Sequence, residues 1–373
     1  LINRLLAISN HGHMLGGGEH SFLDLLFHLP REWRTLAVLP EEGDLTSRLR
    51  GRGIEVLVRP LPKIRPWLLG QVLSALKDYI NLSRRCAPSL VYANGSRAAF
   101  YGGLACRLCS IPLVWHCRIA DRDPALDLVL CTLSSRIIVN SKATAQRFWR
   151  AFGNKTRVVY NSLDIKWLQS GSFPKPDLID DNWKVILVVA RASKEKRHDV
   201  ILSAFENIAA NDSTVYLVCL GGTDHLNLPW WQHLQKRTSA SPFSNRIHWI
   251  GHVDDVRPWY RSAHFLALGS ETESFGRVLV EAMASGLPVI ATRAGGIPEI
   301  VRDGQDGLLV TPGSITEMAE GFSRLLKVDS LRQRFIESGL ERAQLFDMKT
   351  HISQMITIFE ACTKKGETSQ GRS

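Results

Sequence analysis

Short apolar runs alternate with stretches whose apolar residues recur at helical spacing along most of the chain. Residues 5–8, 35–39, 54–58, 90–92, 113–116 and 137–139 are such runs and predict strands. Residues 22–29, 68–80 and 98–108, lying between several of them, carry apolar positions three and four apart and predict helices. Strands that alternate with helices in this order form a parallel sheet covered by the helices. After 158–161 the chain turns Pro- and Asp-rich, and Phe173-Pro174-Lys175-Pro176-Asp177 predicts a linker. A second alternating series follows at 185–190, 216–220, 247–250, 265–268, 288–291 and 307–310, and then helices at 316–326, 331–346 and 349–362. The polar residues 364–373 predict a disordered tail. The expected fold class is therefore α/β, with two Rossmann-like domains over 1–165 and 166–346. Ligands of such sheets bind beyond the carboxyl ends of the strands, so two facing domains would enclose one cleft.

Composition and charge narrow the function. At 373 residues, 45% hydrophobic and 22% charged, the chain is globular and long enough for two cores. No apolar run reaches the ~18 residues of a membrane span, and no signal-peptide pattern precedes the first strand, so a cytoplasmic protein is expected. The net charge of +10 is uneven: residues 1–165 hold 22 Lys and Arg against 12 Asp and Glu, and residues 166–373 hold 24 against 24. Such asymmetry fits an anionic partner, nucleic acid or membrane surface, or a solvated basic domain. No helix-turn-helix or RNP-type signature supports nucleic acid, and none is expected as a partner. Arg59, Lys63, Arg65, Arg84 and Arg85 flank the apolar positions Trp67, Leu68, Leu69, Val72, Leu73, Leu76, Tyr79 and Ile80. That pattern fits a helix packed on the core or one lying on an anionic membrane surface. Seven cysteines without regular spacing fit a reducing compartment. Cys106 and Cys109 form a C-x-x-C inside a stretch that reads as a buried helix, with no second ligand pair, and His11, His13 and His20 have no carboxylate at ligand spacing, so no metal site is expected.

The strongest chemical signal is Glu273 to Glu281, E-S-F-G-R-V-L-V-E. It sets one carboxylate before an apolar helical stretch and another inside it. Val278, Leu279, Ala282 and Met283 supply the apolar face, Gly286 ends the helix and Pro288 opens a buried strand. At ~1.5 Å rise per residue the two carboxylates stand roughly 12 Å apart along the axis, about the span from sugar ring to ribose in a nucleotide sugar. Alone, such a pair would be two solvated surface glutamates. Phe275 and Gly276 open the helix, however, where glycine admits close approach and the free N–H groups favour phosphate. Upstream, Arg191 follows the 185–190 run and Lys196 lies before the next helix, so both ends of that loop are cationic, which alone reads as a solvated loop in a Lys- and Arg-rich segment and otherwise as a place where a departing diphosphate is stabilised. Gly16, Gly17 and Gly18 precede Glu19 in a strand-to-helix loop whose backbone N–H groups can reach a phosphate or sugar. His116 ends the 113–116 run, where it reads as a core histidine or as a ligand.

Together these segments resemble the retaining glycosyltransferases of family 4, which have the GT-B fold of two facing Rossmann-like domains. The likeness is specific over 185–312 and looser in the first domain. It implies a nucleotide-diphosphate sugar as donor, a glycan or lipid-linked hydroxyl as acceptor, and no metal or other cofactor. It also implies that Glu273 faces the transferred sugar and diphosphate, that Arg191 and Lys196 stabilise the leaving group, and that His116 contacts the donor sugar. Donor contacts would come from Gly16, Gly17, Gly222, Val253, Ser274, Phe275 and Gly276, with Glu281 on the ribose hydroxyls. Residues 347–363 would form a helix crossing back to the first domain, and Ala294-Gly295-Gly296 a tight turn under the cleft. Family members usually have Gly after the loop lysine, where this chain has Arg197-His198, which leaves that turn open. Asp121-Arg122-Asp123 follows the wrong segment for the metal motif of the other main glycosyltransferase fold and reads as loop charge. The implied setting is bacterial cell-surface polysaccharide, lipopolysaccharide or glycolipid assembly, in the cytoplasm or peripherally on the inner face of the plasma membrane. The alternatives are a nucleotide-sugar 2-epimerase or a phosphorylase of related fold, and a catalytically silent glycan-binding homologue.

Overall fold

The computed structural model describes residues 3–119, 121–148 and 152–370, with side chains through Lys364. The chain divides into two compact units, Leu1–Ser162 with Met348–Ser373, and Leu163–Asp347.

In the first unit β1 (Asn3–Ser9), β2 (Trp33–Leu39), β3 (Glu55–Val58), β4 (Leu90–Asn94), β5 (Leu113–Cys117), β6 (Arg136–Val139) and β7 (Thr156–Val158) form one parallel sheet in the order 3-2-1-4-5-6-7. Leu6 of β1 lies opposite Leu36 of β2 on one side and Val91 of β4 on the other. The continuous apolar runs follow from helices on both faces. Leu5 and Ala7 point into a core shared with Phe22 and Leu25 of helix Gly17–His28, whereas Leu6 and Ile8 point into a second core with Tyr79 of helix Leu69–Cys86 and Tyr101 of helix Ser96–Cys109. β7 was not expected, because its three residues are an edge strand without an apolar run.

In the second unit β8 (Lys184–Val189), β9 (Val215–Leu220), β10 (Ile247–Gly251), β11 (Phe265–Leu268), β12 (Val289–Thr292) and β13 (Leu308–Val310) form a parallel sheet in the order 10-9-8-11-12-13. Ile186, Val188, Leu217 and Phe265 pack there with Ile201 and Phe205 of helix His198–Ala209 and Phe322 and Leu325 of helix Ile315–Lys327. Each sheet reverses its strand order once, between β1 and β4 and between β8 and β11, and a crevice for ligands opens at such a point. The fold class is α/β with two Rossmann-like units.

The second unit begins before the Pro-rich segment, which lies inside it and is not a linker between units. The Leu163 N–H donates to the Phe346 carbonyl at 3.0 Å. Arg257 lies over the rings of Trp167 and Phe173, 3.8 and 4.3 Å from their centroids, and fastens the segment. The last helix, Met348–Gln370, follows the second unit in sequence and packs on the first, where Met355 and Phe359 are fully buried. Its backbone continues into the polar segment expected to be disordered, since extending a formed helix costs little, and 371–373 lie outside the described residues. Among the described residues no helix is long and apolar enough to cross a membrane.

Candidate functional site

β8 and β11 are neighbours at the reversal of the second sheet, and the loops leaving their carboxyl ends are joined. The Glu271 N–H donates to the Glu195 carbonyl at 2.8 Å, and Lys196 Nζ donates to Glu273 Oε2 at 2.5 Å, with the two side chains only 20% and 15% exposed. Ser270 Oγ stands 3.5 Å from the same carboxylate oxygen. Glu273 is held from behind by its backbone. Its carbonyl accepts from the Gly296 N–H at 2.8 Å, and at Gly295 (φ +50°) a β-carbon would stand 2.0 Å from that oxygen. The 294–296 turn can therefore carry no side chain at its centre.

Lys196 ends a short 3-10 turn, and the next residue takes the left-handed conformation that glycine favours: Arg197 has φ +48° and ψ +47°. A side chain there costs roughly 1–2 kcal/mol. Arg197 offsets the strain through Nε and Nη2, each 3.0 Å from an Asp199 oxygen, and through Nη1, 3.6 Å from Glu271. The turn left open by the sequence thus keeps its shape without glycine. His198 behind it is buried, and burial, then the Lys196 charge, brings its pKa down to about 4.

Glu281 sits in helix Arg277–Ala284, which starts at Gly276 with φ +96°. Its Oε1 accepts from Arg277 Nε and its Oε2 from the Tyr260 hydroxyl, both at 2.9 Å. Tyr260 is almost wholly buried; burial, then the Glu281 charge, raises its phenol far above the ordinary value, so it stays a donor. A carboxylate offers about four lone-pair sites, which leaves acceptor capacity on Glu281. The Phe275 side chain is buried edge-on against Phe346 and is a core anchor, so only its backbone is placed for a ligand, while Ser274 beside it is half-buried. Arg191, about half exposed, donates from Nη1 to Asp224 Oδ2 at 3.0 Å. Asp224, which the sequence did not single out, also accepts from the backbone of Leu226 and Asn227, so the loop after β9 fixes the guanidinium. Gly222 accepts from the Ala192 N–H at 3.0 Å, and Val253 follows β10 half-buried. Arg191, Lys196, Gly222, Val253, Glu273 and Ser274 all stand beyond carboxyl ends of this sheet, as expected of a ligand site.

The first unit carries the remaining candidates. Gly16 caps helix Gly17–His28, and Gly16 and Gly17 are exposed. His116 lies deeper than its place at the end of the apolar run implied. β5 runs one residue further than expected, to Cys117, so His116 lies inside the sheet and is fully buried. Its Nδ1 is 2.8 Å from the Tyr92 hydroxyl and 3.2 Å from Arg118 Nη2. Burial, then the charges of Arg118 and His351, holds the ring neutral with a pKa well below the usual value. Two residues on, and so on the same face of the strand, Arg118 passes the sheet end half-exposed. It donates from Nε to Asn94 at 2.8 Å and from Nη1 to Asn161, and a β-carbon on Gly18 would touch its Cδ at 3.4 Å. Arg118 is therefore the polar group that this strand presents beside the glycine loop, and counting by twos from His116 would have found it. Among the described residues no group of three or more His, Cys, Asp or Glu is arranged to hold a metal ion. Asp123 caps helix Pro124–Leu133, accepting from the Leu126 N–H at 3.2 Å.

Comparison with known proteins agrees with this arrangement. Residues 15–167 match the model of Glycosyltransferase Family 4 and residues 171–342 that of Glycosyl transferases group 1. The phosphatidyl-myo-inositol mannosyltransferase of Mycobacterium leprae is 31% identical over 69% of this chain and 63% of its own. The N-acetyl-alpha-D-glucosaminyl L-malate synthase of Bacillus anthracis is 31% identical over 48% of this chain and 46% of its own. The chain thus spans about half to two thirds of the curated relatives it matches. Anabaena HepE, crystallised with UDP and glucose, superposes with a TM-score of 0.83 at 26% identity over 95% of this chain and 99% of that one. With a family model matched on each unit and a GT-B relative matched over nearly its full length, the chain belongs to the group 1 glycosyltransferases of family 4.

Proposed function

We propose that the protein transfers a sugar from a nucleotide-diphosphate sugar to a hydroxyl acceptor with retention of anomeric configuration and without a metal. The observation that carries the reading is the half-buried Lys196–Glu273 pair at the β8/β11 reversal, with Glu281 anchored in the helix that follows. HepE, which binds UDP and glucose, supports the donor class. In this reaction the acceptor hydroxyl forms a bond to the anomeric carbon on the face from which the diphosphate leaves. The bond from that carbon to the phosphate oxygen breaks, and this oxygen takes the hydroxyl proton. Lys196 and Arg191 stabilise the charge that grows on the diphosphate, while Glu273 orients the sugar. Glu281 accepts from the ribose hydroxyls.

The acceptor belongs to bacterial cell-surface polysaccharide, lipopolysaccharide or glycolipid assembly, and the first unit docks peripherally on an anionic membrane. Helix Leu69–Cys86 buries Val72, Ala75 and Tyr79 but leaves Leu69 and Leu73 exposed, and Trp67 just before it is 72% exposed with Arg65 over its ring. Apolar exposure beside Arg59, Lys63 and Arg65 complements an anionic leaflet, where each basic residue contributes about 1 kcal/mol. The deciding experiment incubates the full chain with a panel of nucleotide sugars, and measures nucleoside diphosphate release with and without EDTA and the product anomer by NMR. Release that EDTA leaves unchanged, with a retained anomer, is the expected result; loss with EDTA that Mn²⁺ or Mg²⁺ restores, or an inverted anomer, refutes it.

A further inference from the structure

A groove of about 580 Å³ lies in the first unit at the amino ends of β5, β6 and β7, the sheet edge opposite to Gly16, Gly17 and Arg118. Its walls are the last turns of helices Ser96–Cys109 and Pro124–Leu133, and Ala361 of the last helix closes it. Arg107, Arg136 and Lys155 line it, and no carboxylate does. Among the described residues none of these three cations has an ion-pair partner. Helix carboxyl ends carry partial negative charge that would repel an anion, but here their carbonyls are spent inside the chain. Ser110, left-handed at φ +56°, and Ile111 both donate their N–H groups to the Cys106 carbonyl. Lys155 Nζ donates to the Cys131 and Ser134 carbonyls at 3.2 and 3.1 Å. One ammonium N–H of Lys155 is left over, and Arg136, which gives Nη1 to the Ser135 carbonyl at 2.8 Å, keeps the rest of its fork. Arg107 donates to no group among the described residues, and the hydroxyls of Ser110 and Ser135 add two neutral donors.

We propose that this groove is a second ligand site, separate from the transfer chemistry and not resting on it, and that it binds the phosphate of a phosphate monoester. The lining offers donors and positive charge without a competing carboxylate. Guanidinium forks match phosphate oxygens in pairs, and the lysine adds a point charge. Arg136 and Lys155 are half-buried, so salt screens them less than it would exposed side chains. An uncharged ligand would leave three cations without a counter-charge, and a carboxylate has one oxygen fewer than a phosphate ester has to share among them. Ile111, Pro112 and Leu133 form an apolar floor beside the cations, and the volume falls within the ~300–1,000 Å³ of small-molecule sites, so the organic part of the ester is held as well. The site gives part of the surplus positive charge of residues 1–165 a use that helix Leu69–Cys86 does not.

The test uses the full chain and titration calorimetry with phenyl phosphate and inorganic phosphate, and co-sedimentation with phosphatidylcholine vesicles with and without phosphatidic acid. Arg107→Glu reverses one charge, and Ala361→Trp fills the groove without changing charge; both positions are exposed, and a urea midpoint checks that each variant folds. Lys196→Ala serves as the control for phosphate binding in the other unit. Phenyl phosphate is expected to bind the wild type more tightly than inorganic phosphate does, at least fivefold more weakly in Arg107→Glu and in Ala361→Trp, and within twofold of wild type in Lys196→Ala. The proposal is overturned if phenyl phosphate does not bind, if Lys196→Ala abolishes its binding while Arg107→Glu keeps it, or if Ala361→Trp leaves its affinity intact, which would reduce the groove to surface charge. Sedimentation with phosphatidic acid that both variants weaken would support the site and make a lipid phosphate its source, whereas phenyl phosphate binding without such sedimentation would support it with a soluble ester.

Discussion

Truncating Glu281 should separate ligand binding from folding, because its two oxygens are already tied to the protein. In Glu281→Ala a ribose loses an ionised acceptor, and hydrogen bonds to charged groups contribute about 1.5–3 kcal/mol each. At ~1.4 kcal/mol per factor of ten, even one such bond predicts a 10- to 150-fold weaker affinity for UDP or its sugars. The same change strands the Tyr260 hydroxyl, which is nearly fully buried and, among the described residues, bonded only to Glu281 at 2.9 Å, at a cost of about 1–3 kcal/mol in stability. Tyr260→Phe in the Glu281→Ala background removes that orphan. The double variant should recover most of the stability in a urea titration and none of the affinity in calorimetry. Wild-type affinity for nucleoside diphosphates in the folded double variant would refute the ribose assignment, and recovery of affinity together with stability would show that Glu281 acts only through the fold.

Lys196→Ala should lower kcat more than it weakens donor binding, since leaving-group charge peaks in the transition state, and should exceed Arg191→Ala because it also leaves the mostly buried Glu273 without its cation; equal losses in kcat and donor Kd would contradict this. At Arg197, Gly relieves the left-handed backbone and Ala does not, so Arg197→Ala should unfold in urea about 1–2 kcal/mol more easily than Arg197→Gly, and equal stability would remove the strain argument. His198 has a folded pKa of about 4 against an ordinary value of 6.5, so the unfolded chain binds the extra proton between these values and stability is lost as pH falls through that window. By pH 5 the loss from this residue is about 2 kcal/mol, and His198→Gln should flatten the acid limb of the urea midpoint; identical limbs would rule the residue out.

The second unit was legible because its signals are local. Glu273, Ser274, Phe275 and Gly276 stand at fixed distances from the ends of β11 and the following helix, and Arg191 and Lys196 from the end of β8, so strand runs read from the sequence located them. What stayed hidden there are partners brought in by the sheet. Asp224 reaches Arg191 from the loop after β9 and Tyr260 reaches Glu281 from helix Arg257–Ser262, and neither pairing follows from spacing. The burial of the Phe275 side chain was hidden for a related reason, since it is set by Phe346 far along the chain.

The first unit shows how much one residue of strand length can change. Ending β5 at His116 puts an imidazole at the sheet edge, whereas ending it at Cys117 buries the imidazole and hands the edge to Arg118. A neutral ring and a fixed cation do different work on a sugar or a phosphate, so a boundary uncertainty ordinary for strand assignment reverses the chemistry. Partners drawn from separate strands are harder still to foresee. Arg118 after β5 meets Asn94 at the end of β4 and Asn161 beyond β7, and only the parallel order 4-5-6-7 brings those ends together. A site built along one loop can be read in a line of sequence, but a site built across a sheet becomes visible only once the strand order is known.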